Sequence, residues 1–442
     1  MSLLFAAIAD DDTGATDIAG MLAQQGVRTL LVLEGASDEE LREWAGHADA
    51  VVIGTASRNI PPQEAYDRTA AAIARITPFA PKTFFIKYCS TFDSTDAGNI
   101  GPSIDATMDA LQQTFTIALP ALPVNGRTTY MGHHFVGAQL LSESSMRHHP
   151  LTPMTESDLV VHLQKQTKRN VSLIDLHTVR KGTGAIRERI VALTVARETI
   201  AIVDCTCEED LAAIGEAVTN ARLLSGSSAL ASVLPASWKA QGLLKGTRHS
   251  SLQRKSKPNT GFFAAAGSCS AATQQQNAHA AAHSWIVIDV ETVALASGAD
   301  LSEKVLTICN KIERGENVLV KTTSTAPDVE HFRKWCDARG ISQAEGGEKI
   351  SRGLAALVRD VVDRSGPQGV LIAGGETSGA ACRALNIRAL TVGEQIAPGV
   401  PVCMPLSGMD VPIALKSGNF GGEDFYERAI RVMRALPIGD ER

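Results

Sequence analysis

Along this chain, short apolar runs rich in β-branched residues alternate with longer stretches in which apolar positions recur every three or four residues. Runs at 3–8, 27–33, 50–55, 83–87, 116–119, 171–175 and 199–204 have the length and composition of strands. Between the first two, Ala15, Ile18, Ala19 and Leu22 form an apolar stripe at helical spacing. The alternation resumes in the second half, with strands expected at 261–265, 285–289, 318–321, 370–373, 389–392 and 412–416. Strand–helix–strand repetition predicts an α/β fold: two α/β domains with mostly parallel sheets covered by helices. Right-handed crossovers then place functional loops at the carboxyl ends of the strands, and the active site is expected in the interdomain cleft.

The periodicity lapses between Ser237 and Thr260, where Lys, Arg, Ser and Gly dominate. This stretch, 237–260, reads as a linker between an N-terminal domain (1–236) and a C-terminal domain (261–442). A length of 442 residues fits two domains of about 200 residues each. No internal repeat is visible in the sequence.

Composition narrows the function. With 44% hydrophobic and 20% charged residues the chain has a globular balance, and its formal charge of -6 argues against nucleic acid as a partner. No run reaches the ~18 apolar residues of a membrane span. The apolar start runs directly into Asp10, Asp11 and Asp12, as a first strand does and a signal peptide does not. Eight cysteines without a CxxC pair, Cys205 and Cys207 forming only a CxC, read as reduced thiols of a cytoplasmic protein. The adjacent pairs His133–His134 and His148–His149 are poorly spaced for one metal ion.

Three adjacent carboxylates close the first strand, in the run Asp10-Asp11-Asp12-Thr13-Gly14. Capping by Asp12 or Thr13 accounts for one acid, but their mutual repulsion calls for a further role. Such carboxylates accept hydrogen bonds from sugar hydroxyls or act as a base toward one. Later strand ends carry cations, Arg58 after one and Lys87 at another. Arg58 suits a carboxylate ligand bidentately, and each charge-assisted bond contributes about 1.5–3 kcal/mol.

The second half has three small-residue turns after apolar runs, beginning at Gly267-Ser268, Gly374-Gly375 and Lys416-Ser417-Gly418. Such turns let backbone N–H groups approach an anion at a helix start, as a nucleotide phosphate requires. There is no G-x-x-x-x-G-K-[ST], no G-x-G-x-x-G after the first strand and no protein-kinase catalytic loop. A dinucleotide dehydrogenase therefore loses most of its support. A non-catalytic sugar-acid sensor leaves the acidic loop and the glycine turns unexplained.

The segments ADDDTGATDIAG, KYCSTFDST, GNIGP, PALPVNGRT, MRHHP, GSCS, AGGETSG, APGVP and ALKSGNFG, spread over nearly the whole chain, resemble the four-carbon acid sugar kinase family. The resemblance implies an N-terminal acid-sugar-binding domain, a C-terminal ATP-binding domain, and transfer of the ATP γ-phosphate to the terminal hydroxyl of a small-molecule four-carbon acid. It assigns Asp10, Asp11, Asp12, Arg58, Lys87, Tyr88, Cys89 and Ser90 to the acid. Ser268, Gly374, Gly375, Glu376, Thr377, Ser378, Gly418 and Asn419 fall to ATP. Asp12 departs from the family pattern, which has a bulky apolar residue there. Asp11, ahead of Asp10, is the expected acceptor of the hydroxyl proton, and Mg²⁺ is expected to accompany ATP. Asp17, Asp93 and Glu376 are candidate outer ligands for it. A homodimer is compatible with this reading, and PALPVNGRT and MRHHP read as a structural hairpin or interface.

Overall fold

Each strand expected in the first half forms, with ends within two residues of those predicted. The computed structural model describes residues 3–149, 152–197, 199–244, 252–254, 259–323 and 326–438. The chain divides into two compact units, residues 1–249 and 250–442.

The first unit contains β1 (Phe5–Ala9), β2 (Thr29–Val32), β3 (Ala50–Gly54), β4 (Thr83–Lys87) and β5 (Thr116–Leu119). It continues with β6 (Arg127–Tyr130), β7 (His133–Val136), β8 (Gln139–Leu140), β9 (Val171–Ile174), β10 (Ile200–Val203) and β11 (Leu223–Gly226). Eight of these pair in the order β2-β3-β1-β4-β11-β5-β10-β9, all in parallel. Strands β1 to β4 are buried almost throughout, as parallel strands covered on both faces must be. The predicted stripe forms the helix Asp12–Gln24, and Ala15, Ile18, Ala19 and Leu22 are all fully buried. β1 and β4 are neighbours, yet β1 leads through its helix to β2 on one side and β4 leads to β5 on the other. That reversal is a topological switch point, and it opens a crevice at the carboxyl ends of β1 and β4.

β6, β7 and β8 make a separate antiparallel sheet, so the GRT end of PALPVNGRT enters a hairpin, as expected. It is tied to the end of β10: the Asp204 carboxylate accepts the N–H groups of Met131 (2.6 Å), Gly132 (2.9 Å) and Leu176 (2.9 Å).

The second unit contains β12 (Phe263–Ala266), β13 (Trp285–Val290), β14 (Asn317–Thr322), β15 (Val370–Ala373), β16 (Ala389–Ala397), β17 (Val400–Pro405) and β18 (Ile413–Lys416). Their order is β13-β14-β12-β15-β18-β17-β16, parallel except at β17. Its first four strands thus lie in the sequence second, third, first, fourth, the same pattern as β2-β3-β1-β4. The sequence shows no repeat, but the two units share this winding and a switch point between first and fourth strands.

Two boundaries need correcting. The helix Ala229–Ala240 runs into the predicted linker, because Trp238 is buried with its ring 5.8 Å from that of Phe5. Much of the rest of that linker, 245–251 and 255–258, lies outside the described residues. β16 extends to Ala397 and turns back through Gly399 (φ 78°) into β17, which was not expected.

Candidate active site

At the end of β1 the three acids do three different things. Asp11, not Asp12 or Thr13, is the N-cap: its Oδ1 accepts the Gly14 N–H (2.8 Å) and its Oδ2 accepts the Thr13 hydroxyl (2.7 Å). Gly14 is required here, since a Cβ would overlap Asp11 Oδ1 and stand 3.2 Å from Lys87 Nζ. Asp10 is gripped by Arg58 through Nε (2.7 Å) and Nη2 (2.8 Å). Asp12 opens the helix, and its Oδ1 lies 2.7 Å from where a Cβ on Gly54 would stand, so it packs against the end of β3.

Arg58 also reaches Asp11 Oδ1 at 2.8 Å. It is therefore already paired with the acidic loop, and Nη1 is the part of its fork that makes no hydrogen bond among the described residues. Burial raises the Asp10 carboxyl above its ordinary value, with Arg58 opposing it. Burial also acts on Asp11, but Arg58, Lys87, Thr13 and the Gly14 N–H outweigh it and hold that carboxyl below its ordinary value. The turn carrying Arg58 is set by Ala56, in the left-handed region at φ 47°, and by Asn99. The Asn99 Nδ2 gathers the carbonyls of Ser57 (2.6 Å), Arg58 (3.0 Å) and Ile60 (2.7 Å).

This pairing predicts the behaviour of Arg58→Ala. Removing one member of a buried ion pair costs about 3–5 kcal/mol, because it strands the other. Denaturant unfolding of the variant should show a loss of that order, recovered in large part by adding Asp10→Asn. Because a raised carboxyl binds its proton more readily in the folded state, the loss should shrink as pH falls from 8 toward 5. A loss independent of pH and untouched by the second substitution would contradict the pairing.

Lys87, 3% exposed, is not an open cation either. Its Nζ donates to the Tyr88 carbonyl (2.9 Å) and lies 3.8 Å from Asp17 Oδ2. Asp17 is raised by burial against the pull of Lys87. The Tyr88 ring is buried, with its hydroxyl 3.3 Å from Ser225 Oγ, so Tyr88 offers this turn its backbone and not its phenol. Cys89 lies 2.9 Å from Thr91 Oγ1, and burial pushes its thiol up to about 12, which excludes a thiolate at neutral pH. The Ser90 carbonyl accepts Nε2–H of His134 (2.8 Å), and His134 Nδ1 then accepts the Thr129 hydroxyl (3.0 Å). Burial lowers the His134 imidazole to about 4, so it is a neutral strut from the small sheet to this turn. Asp10, Arg58, Lys87, Asp93 and Asn99 line a cavity of about 10 Å³, room for roughly one water. A four-carbon acid does not fit there. The half-buried Asp11, Thr13, Arg58 and Ser90 form the accessible rim.

In the second unit the three small-residue turns converge. A Cβ on Gly267 would overlap Thr377 Oγ1, one on Gly374 would stand 3.3 Å from the Ser268 N–H nitrogen, and one on Gly418 would overlap Ser268 Oγ. Gly374 has φ 132°, a conformation open to glycine. Ser270 caps the helix Ala271–Ala282, and its hydroxyl donates to the Gly418 carbonyl (2.6 Å) across 148 positions of sequence. Gly374 precedes the helix Gly375–Ala384, whose Ser378 hydroxyl is buried without a hydrogen-bond partner among the described residues. Gly375, Glu376 and Asn419 are exposed at the mouth of these turns. Sequence reasoning missed Thr273 and gave Lys416, the first residue of the third turn, no role of its own; the two meet beneath these turns, where Lys416 Nζ donates to Thr273 Oγ1 (3.0 Å). Asn99 was missed as well, although it stands in GNIGP immediately before a helix, where a polar side chain signals a backbone contact.

Comparison with known proteins follows the same division. Residues 5–234 match a sugar-binding N-terminal domain and residues 263–426 a nucleotide-binding C-terminal domain. A 3-oxo-tetronate kinase of Cupriavidus necator is 41% identical over 97% of this chain and 97% of its own length. A 3-oxo-tetronate kinase of Pseudomonas fluorescens is 40% identical over 97% of this chain and 96% of its own. Among solved structures, a Salmonella typhimurium LT2 protein described as a tRNA synthase is 34% identical, with TM-score 0.82 over 97% of this chain and 99% of that one. A Haemophilus influenzae protein is 31% identical, with TM-score 0.76 over 97% and 100%. Both domain matches and near-complete alignment to these kinases show that the chain belongs to the four-carbon acid sugar kinase family.

Proposed function

We propose that this protein transfers the γ-phosphoryl group of ATP to the C4 hydroxyl of a four-carbon sugar acid, with 3-oxo-tetronate as its substrate. The observation that carries the reading is the meeting of three turns, far apart in sequence, within the residues matched to a nucleotide-binding domain. Ser268, Gly374, Gly375, Glu376, Thr377, Ser378, Gly418 and Asn419 hold the phosphates, largely through backbone N–H groups and hydroxyls. The Salmonella protein's description names an activity with no counterpart in either matched domain.

In the sugar-binding unit, Asp11 accepts or orients the proton of the attacking hydroxyl. Its side chain is 26% exposed against 11% for Asp10. Phosphoryl transfer asks little basicity of this group, because the transition state is loose and the proton moves late. Arg58 presents Nη1 to the carboxylate of the acid, and Lys87 acts through the carboxylates it stabilises, Asp11 and Asp17. The backbone of Tyr88, Cys89 and Ser90 forms the wall against which the acid lies. Among the described residues no three His, Cys, Asp or Glu side chains form a metal cage. Mg²⁺ bound with the nucleotide would supply charge neutralisation at the phosphates.

The test is ADP production from ATP and Mg²⁺ over a panel of 3-oxo-tetronate, D-threonate, L-threonate and D-erythronate, with the product's phosphate located by phosphorus NMR. Turnover fastest with 3-oxo-tetronate and a phosphate on C4 is expected. ADP formation with none of the acids would overturn the proposal, and preference for a threonate or erythronate would reassign the substrate.

A further inference from the structure

Lys416 ends β18 and is fully buried, with Nζ donating to Thr273 Oγ1, the Ser417 carbonyl and the Gly418 carbonyl, each at 3.0 Å. Its ammonium also faces the Phe425 ring, 5.7 Å from the centroid. Every one of these partners is neutral. The surrounding elements carry four carboxylates, Glu376, Glu423, Asp424 and Glu427, together with His279, the thiols of Cys269, Cys382 and Cys403, the phenol of Tyr426 and several arginines. None of these carboxylates pairs with Lys416, and His279 turns to Glu427 at 3.7 Å. A lysine buried among neutral groups is disfavoured in its charged form, and burial lowers this one to about 8.

The surroundings are also crowded with donors. The Gly418 carbonyl receives Lys416, Ser270 (2.6 Å) and Thr273 (2.8 Å), more donors than its two lone pairs satisfy well. Ser268 leans on Ser270 at 3.2 Å, and the buried Ser378 hydroxyl has no hydrogen-bond partner among the described residues. Crowded donors around a buried cation that no carboxylate among the described residues pairs with call for an anion. We propose that Lys416 is the buried counter-charge of the nucleotide polyphosphate, holding the Gly418 turn in place. Bound phosphates then offset the burial that disfavours its charged form. This rests on reading the second unit as the nucleotide domain. Lys416 is a positioning residue, acting through Gly418 and Thr273, and its charge favours a diphosphate or triphosphate over an uncharged nucleoside.

Calorimetry on the full chain tests the idea. At pH 8.5 ADP is fully ionised, so titrating ADP in two buffers of different ionisation enthalpy reports protons taken up by the protein. Wild type should take up a substantial fraction of a proton. Lys416→Met should take up none and bind ADP at least roughly 10-fold more weakly, about 1.4 kcal/mol, with KM for the acid unchanged. A folded Lys416→Met protein that binds ADP as wild type does would overturn the assignment. Should that variant fail to fold, wild type alone decides, and ADP binding at pH 8.5 without proton uptake counts against it. Wild type that binds no ADP removes the nucleotide reading itself, an outcome distinct from a loss confined to Lys416.

Discussion

Asp11→Asn is expected to lower kcat by roughly 10²–10⁴-fold, the range over which a positioned proton acceptor acts. Asparagine is nearly as good an N-cap as aspartate, so the Gly14 N–H keeps its acceptor and the helix Asp12–Gln24 keeps its start. The substitution therefore removes the acceptor charge, and with it the ionic part of the contact with Arg58, while keeping the cap, and thermal unfolding should show a folded protein. KM for ATP should move little, since the nucleotide turns belong to the other unit. Asp10→Asn is the control: its carboxylate faces Arg58, and its effect should fall mainly on stability and on KM for the acid. Steady-state kinetics of both variants separates the roles, and near-normal kcat for Asp11→Asn would transfer the acceptor's part to another group.

Gly418→Val should weaken ADP binding by roughly 10–100-fold, from an overpacking cost of about 1–3 kcal/mol. Gly418 is not in a left-handed conformation, so backbone strain is not the issue. Space is: a Cβ there would overlap Ser268 Oγ and stand 3.0 Å from Ser270 Oγ, pushing apart the two turns that meet at this point. Gly418→Ala should show a smaller loss of the same kind. Acid binding to the first unit should persist in both, because the Asp10–Arg58 cluster belongs to a different unit from this turn. Unchanged ADP affinity in the valine variant would reduce Gly418 to an ordinary turn residue.

The expectations that survived best were those resting on local pattern. β4, β5 and β15 have the ends their sequence predicts, since each is a short, almost wholly apolar run bounded by polar or small residues. β11 escaped notice because Leu-Leu-Ser-Gly has no β-branched residue and no alternation, and burial between β4 and β5 makes it a strand. β17 escaped because Pro401 and Pro405 read as loop punctuation, and the antiparallel ladder with β16 and β18 accommodates both. At the acidic loop the residues were identified but their partners were not: Arg58 and Lys87 pair first with Asp10, Asp11 and Asp17.

The sequence by itself determined the α/β class, the division into two units, and the strand ends at which acids, cations and glycines gather. Those features follow from period, propensity and steric freedom, which act between near neighbours in the chain. Tertiary structure alone decided which acid caps the first helix, that Asn99 steadies the Arg58 turn, and that a buried lysine sits beneath three glycine-bearing turns. The Asn99 and Lys416 contacts join segments distant in sequence, and Asp11, whose cap bonds are local, is also paired with Arg58 from another strand end. These distant pairings are set by the order in which the strands pack. In such a sheet, strand order brings residues together that no local pattern connects.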